Sequence, residues 1–172
     1  MAVARPYKIG VFDTSTWLAT GATVTTTSTT PILFVSTSAN SDVNLSCVRV
    51  GVLGAASFPS NASIVFSLNT VTGTKAGGNA VTPLQLSGVA KASLVTAVST
   101  AGGTSAAAIT GLTATTSWWS TVLPFTAGSN WGEWYSPSFE INWTVSGQFA
   151  LCVTASSAGT ATTFTGELEY TE

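Results

Sequence analysis

Glu133 and Glu140 are the acidic residues of this chain that lie beside tryptophans. A carboxylate pair next to an aromatic platform is what a glycosidase uses to protonate and attack a glycosidic bond. Residues seven apart on a strand fall on opposite faces, however, and Pro137 lies between the two, so the spacing argues against such a pair. The chain contains no histidine, which excludes Ser-His and Cys-His nucleophiles. Gly73, Lys75, Gly77 and Gly78 lie close enough together to suggest a phosphate-cradling loop. A P-loop needs Gly-Lys-Ser/Thr at the start of a helix, whereas here Lys75 precedes Ala76 and no helical pattern follows. Asn40, Asp42 and Asn44 are the nearest approach to a calcium loop and read at least as well as turn caps. Cys47 and Cys152 sit inside apolar strand patterns and read as small buried hydrophobes, in preference to a disulfide or half a zinc site. The expectation is a protein without catalytic residues, metal or cofactor.

The tryptophans carry the remaining chemistry. Five of the six fall between Trp118 and Trp143, and an exposed tryptophan stacks well on a sugar ring. Against that stands the alternation of Phe139, Ile141 and Trp143 with Glu140 and Asn142, which marks one buried strand face. Trp118 and Trp119 are adjacent, so in a regular strand they point to opposite faces, and one of them is then exposed or buried in a subunit interface. Trp118, Trp119, Trp131 and Trp134 are the candidate subunit or ligand interface.

The elements that must position these residues are strands. Of 172 residues, only 7% are charged, against roughly a quarter in typical soluble domains. No Asp, Glu, Lys or Arg occurs between Lys91 and Glu133. Thr, Ser, Val, Ala and Gly dominate, a composition that favours strands over helices. Mean hydropathy is +0.40 and the net charge is −2, so the surface is either largely hydroxyl-bearing or covered by neighbours, and interface cores are depleted in charge. The basic residues are few and scattered, so no nucleic-acid partner is expected. No run reaches the ~18 apolar residues of a membrane span. The N-terminal residues lack the basic start and apolar run of a secretory signal, so a secreted matrix domain is disfavoured.

Taken in order, residues 1–6 read as an extended N-terminal arm, since Pro6 forbids a helix. The rest, 7–172, reads as one antiparallel sandwich. Tyr7 to Val11 makes a first strand, and Thr23 to Thr30 could be an exposed one. Ile32 to Val35 reads as a strand buried on both faces, and Val43 to Leu53 as a strand with a bulge where alternation changes phase. Gly54 to Ala62 is read as a loop, Ile64 to Leu68 as a strand with Ser63 and Ser67 facing out, and Asn69 to Asn79 as a glycine-rich surface loop. Val81 to Leu86 is a strand interrupted by Pro83, which places it at an edge or at a strand start. Lys91 to Thr100 is another, Ser105 to Ile109 has room for one helical turn, and Leu112 to Phe125 is apolar. The tryptophan-rich strands follow, then a turn at Ser146-Gly147, a strand from Gln148 to Ala155, a loop, and a last strand to Tyr170. About eight to ten short strands without a repeat describe an all-β, jelly-roll-like sandwich.

From Ile64 onward the chain also resembles a family pattern. Ile64-Val-Phe-Ser-Leu68, a glycine-rich stretch and Thr82-Pro-Leu-Gln-Leu86 are similar to a run in tailed-bacteriophage virion proteins. Those proteins continue with small residues, a Glu-Trp segment (Glu133-Trp134 here), an apolar strand (Gln148 to Thr154) and a last strand ending in acidic residues (Thr165 to Glu172). The resemblance implies a non-enzymatic structural protein of jelly-roll type, such as a capsid decoration (cement) protein of the virion, assembled in the bacterial host cytoplasm. It further implies the major capsid protein as partner and a homotrimer as the favoured state, with Arg5, Pro6 and Tyr7 as the candidate capsid-contact arm. The alternative is a carbohydrate- or host-receptor-binding module of a tail or fibre.

Overall fold

The computed structural model describes residues 6–10, 29–38, 42–57, 63–86, 92–100, 108–124, 143–145, 147–155 and 160–172. All regular structure among them is β: β1 (Pro6–Gly10), β2 (Thr30–Ser36), β3 (Val43–Ser57), β4 (Ser63–Gly77), β5 (Asn79–Val81), β6 (Leu84–Gln85), β7 (Thr96–Ser99), β8 (Ile109–Pro124), β9 (Trp143–Val145), β10 (Gln148–Ala155) and β11 (Thr160–Thr171). They form two antiparallel sheets. The first has the order β6-β1-β11-β3-β9 and the second β5-β7-β2-β10-β4-β8.

The pairing is nested. β1 pairs with β11, β2 with β10, β3 with β9 and β4 with β8, so the chain is a long ribbon doubled back on itself. Rolling that ribbon brings β11 against β3 and β10 against β4, which is the winding of a jelly roll. The sandwich closes over one apolar cluster drawn from both sheets. Tyr7, Ile9, Leu45, Val48, Leu168 and Tyr170 contribute from the first, and Leu33, Val35, Ile64, Phe66, Leu68, Phe149 and Leu151 from the second. Alternation produces this core directly. Phe149, Leu151 and Val153 face inward as period two requires, and Ile64, Phe66 and Leu68 do the same between half-buried Ser63, Val65 and Ser67. The sheets come so close at Gly166 that a β-carbon there would drive into Leu151 Cδ2.

Bulges disturb the simple parity on several strands. On β3, Leu45 stands opposite Tyr170 and Cys47 opposite Glu169, so Ser46 is an extra residue, at the place where alternation changes phase, and Gly54 is extra between Leu53 and Ala55. On β2, Leu33 faces Leu151 and Pro31 faces Cys152, leaving Ile32 unmatched, so Ile32 and Leu33 both enter the core. Those on β8 are taken up below. In each case two residues oppose one and the strand's facing changes locally.

Several elements differ from the sequence reading. β1 begins at Pro6, one residue inside the expected arm. Gly54 to Ser57 continue β3 instead of forming a loop, paired with the start of β11. Asn69 to Gly77 is strand as well, because its glycines serve a bent two-stranded ribbon in place of a loop. Gly73 and Gly111 take φ of +111° and +77°, and a β-carbon on either would meet backbone of the facing strand. This ribbon curls across the outer face of the second sheet. β8 comes within 8 Å of β2 although β10 and β4 lie between them in the sheet, and Val71, Ile109 and Leu112 cover Phe34, Ala150 and Cys152 there. Pro83 does not sit within one edge strand. It lies where the chain leaves β5 in the second sheet and enters β6 in the first, since proline supplies no N–H to a ladder. Ile109 belongs to β8 and not to a helical turn.

Candidate functional site

The two lateral sides of the sandwich are built differently. On the β1/β2 side, the segment between β4 and β8 lays short strands along both sheets. β6 pairs with β1, while β7 pairs with β2 and is itself edged by β5. On the β8/β9 side, β9 has three residues and β8 has 16. Among the described residues β8 pairs with β4 alone and ends the strand order of its sheet.

β8 owes its strand form to β-branched and aromatic residues: Ile109-Thr-Gly-Leu-Thr-Ala-Thr-Thr-Ser-Trp-Trp-Ser-Thr-Val-Leu-Pro124. Its register against β4 shifts three times, one of them at the bend between Gly73 and Ala76. Leu68 lies opposite Trp119 but Asn69 opposite Ser117, so Trp118 is extra, and Thr115 is extra between Ala114 and Thr116. The bulge at Trp118 is why the parity argument fails. Trp118 and Trp119 are both half-buried, and both pack against the main core. The Trp118 ring lies 5.9 Å from that of Phe149, tilted by 45°, a separation that suits an aromatic pair. Ser117 Oγ donates to the Trp119 carbonyl at 3.3 Å, and Thr115 Oγ1 to the Thr70 carbonyl at 3.1 Å. From Thr113 to Ser117 every side chain is exposed, as are Ser120 and Val122, the latter at 56%. From Trp119 to Pro124 the register is unbroken. None of these residues carries a charge.

The capped side is held by a polar clasp. Tyr7 is 1% exposed and stacks on Tyr170 at 5.5 Å. Tyr7 is therefore a core residue and not part of a contact arm, because its ring fills the space under β1. Pro6 is already paired opposite Thr171. The Ser93 hydroxyl donates to the Glu172 carboxylate, so it accepts from the Tyr170 phenol at 2.7 Å and from Val95 N at 3.0 Å. Leu94 N donates to the same Glu172 oxygen at 2.9 Å. Burial raises the Tyr170 pKa well above that of a free phenol. The Ser93 bond opposes the shift, while the Glu172 charge and Tyr7 add to it. Leu84, Leu86 and Leu94 are exposed on this side.

On the outer face of the first sheet, Arg49 bridges Glu167 and Glu169, the latter at 2.6 Å. Glu167 is 2% exposed and stands directly opposite Arg49 in register. Burial disfavours the guanidinium charge, but the bond to Glu169, the nearby Cys47 and the bond to Glu167 outweigh it and raise the Arg49 pKa.

Cys47 and Cys152 are both buried and neither forms a disulfide, and each lies on the outer face of a different sheet. Burial pushes the Cys152 thiol up to about 11, against a smaller lowering by Asn69. Asp42 and Asn44 are exposed, Asn44 within β3. Lys75 Nζ donates to the Gly77 carbonyl at 3.1 Å, which closes its own turn and does not form a phosphate cradle. Among the described residues no three Cys, Asp or Glu side chains are grouped to hold a metal. Arg5, Trp131, Trp134, Glu133 and Glu140 lie outside the described residues, and Trp143 opens β9 opposite Leu45. Sequence reasoning missed that β8 is one strand of 16 residues. The signal for it was the uncharged, Thr-rich and β-branched run from Ile109 onward. No family model, curated protein or solved structure matches this chain.

Proposed function

We propose that this protein is a non-enzymatic structural subunit of a tailed-phage virion, a capsid decoration protein that binds the major capsid protein and stabilises the head shell. The observation that carries the reading is the surface of β8: a strand of 16 residues that pairs, among the described residues, with β4 alone and exposes mostly Thr, Ser and Ala, in a chain with 7% charged residues. A side chain with little rotamer freedom and no charge loses little when a neighbour covers it. The resemblance from Ile64 to Glu172 supplies the phage context. The packing of Trp118 and Trp119 against the core favours this reading over sugar stacking for that pair, because a tryptophan already covered on one side offers less ring to a ligand. Copurification with intact virions, at a copy number in fixed ratio to the major shell protein, is the expected result. Absence from virions, together with a tryptophan fluorescence shift on adding glycans, would instead establish the receptor-binding alternative.

A further inference from the structure

We infer that the ribbon formed by residues 70–77 of β4 and 109–117 of β8 is a strap that lifts from the outer face of the second sheet while the sandwich stays folded, and that Cys152 reacts with thiol reagents only when the strap is lifted. What lies beneath the ribbon is a second, smaller core. Val71, Ile109 and Leu112 close over Phe34, Ala150 and Cys152, and the sheet itself separates this cluster from the apolar residues between the sheets. Uncovering the one therefore leaves the other packed. Local opening draws on segments with few buried side chains and much exposed backbone, and it takes less free energy than unfolding the whole domain.

The ribbon is such a segment. Of its residues only Val71 and Ile109 are buried, whereas in β10 beneath it Phe149 to Val153 are all buried. β10 accompanies β4 no further than Thr70, and past that point β4 pairs, among the described residues, with β8 alone. The three register shifts, between Leu68 and Asn69, Thr70 and Val71, and Gly73 and Ala76, all fall at its root or along it, and each interrupts the regular ladder. The side-chain bonds from Thr115 to the Thr70 carbonyl and from Lys75 to the Gly77 carbonyl join the ribbon to itself and not to the sheet below. Its two ends are held more firmly. At the root Trp118 and Trp119 pack against the main core, and at the tip Gly78 lies against Val98 while β5 pairs with β7. A segment fixed at both ends and loosely seated between them moves as a strap and not as a tail. The inference stands whether or not the virion reading does.

The test uses the full wild-type chain and a maleimide, with the label on the Cys152 peptide read by mass spectrometry after digestion. In the native protein Cys152 should be labelled at least about a hundredfold more slowly than in the urea-unfolded chain, yet measurably. Urea added below the unfolding transition should leave that rate nearly flat, because lifting the strap exposes little surface. A rate that climbs from the first addition of urea with the slope of global unfolding means that Cys152 is reached only through the unfolded state, and overturns the inference. Labelling as fast as in the unfolded chain overturns it too, since nothing then covers the thiol. Val71→Ala removes part of what seats the strap, and should speed labelling at least about fivefold without steepening its urea dependence. An unchanged rate in that variant places the opening elsewhere than at the strap. If the variant does not fold, the urea dependence of the wild type decides alone.

Discussion

The two lateral sides of this sandwich solve the same problem in opposite ways. A rolled sheet always leaves edges, and on the β1/β2 side those edges are taken up by strands of two to four residues with Pro83 between them. Beneath them lie Tyr7, Tyr170 and the Ser93–Glu172 clasp, so that side is where the edge and the core are the same structure. On the β8/β9 side a single strand of 16 residues runs along the rim with its side chains mostly in solvent. Stability is thereby concentrated at the capped rim, and mutations should show it.

The largest effect should come from the capped rim. Tyr7→Ala removes a fully buried ring and its partner in the stack, and should cost about 3–5 kcal/mol in denaturant unfolding. A loss below about 1 kcal/mol would mean that the capped rim is not where the core is anchored. Next comes the ribbon that leads to the β8 rim. Gly111→Val places a β-branched residue at positive φ against the Thr74 carbonyl, and should cost at least about 1–3 kcal/mol. A smaller loss would show that the ribbon is pliable and that the outer-face cluster does not depend on its bend.

The clasp should follow. Ser93→Ala leaves the Tyr170 phenol and Glu172 without their shared partner, for about 1–2 kcal/mol. Tyr170 also makes this rim sensitive to alkali. Its phenol holds the proton more tightly folded than unfolded, so the folded state binds more protons once pH exceeds the ordinary tyrosine value of about 10. That stabilisation is complete below this pH and is lost as pH rises from it toward the raised folded value, so the part of the tyrosinate absorbance that a Tyr170→Phe variant lacks should appear together with unfolding. The smallest effect belongs to the β8 rim, where Ser120→Lys should change stability by no more than about 0.5 kcal/mol. If that substitution unfolded the protein, the division of labour between the rims would fail.

What could be read from sequence was whatever depends on neighbours in the chain. β10 was read with both ends in place because Phe149, Leu151 and Val153 alternate cleanly between two turn signals. The β3 bulge was visible as a slip of phase at Cys47. What could not be read depends on partners tens of residues away or more. Glycines in Asn69 to Gly77 announce a loop locally, and only the facing Gly111 shows that they are the bend of a ribbon. Adjacent tryptophans announce opposite faces, and only the spacing of Leu68 and Asn69 against Ser117 and Trp119 shows that they share one. Tyr7 looked like part of an arm because its companion, Tyr170, stands at the other end of the sequence. The fold class was legible from composition and period, and so was the absence of charge around the candidate site. Its edge geometry was not, because which strand lies outermost is decided by the rolling of the ribbon.

The nested pairing has a consequence for how the protein comes into being. β11 is the central strand of its sheet, and β1 reaches β3 only through it. Pro6 must wait for Thr171 before it has a partner. During synthesis, then, β2, β4, β8 and β10 can gather while β1 and β3 still lack the strand that joins them, and only the emergence of β11 completes the first sheet. Such long-range pairing folds slowly, in milliseconds to seconds for β-rich chains. Loss of residues from β11 therefore removes the keystone of a sheet and not its fringe.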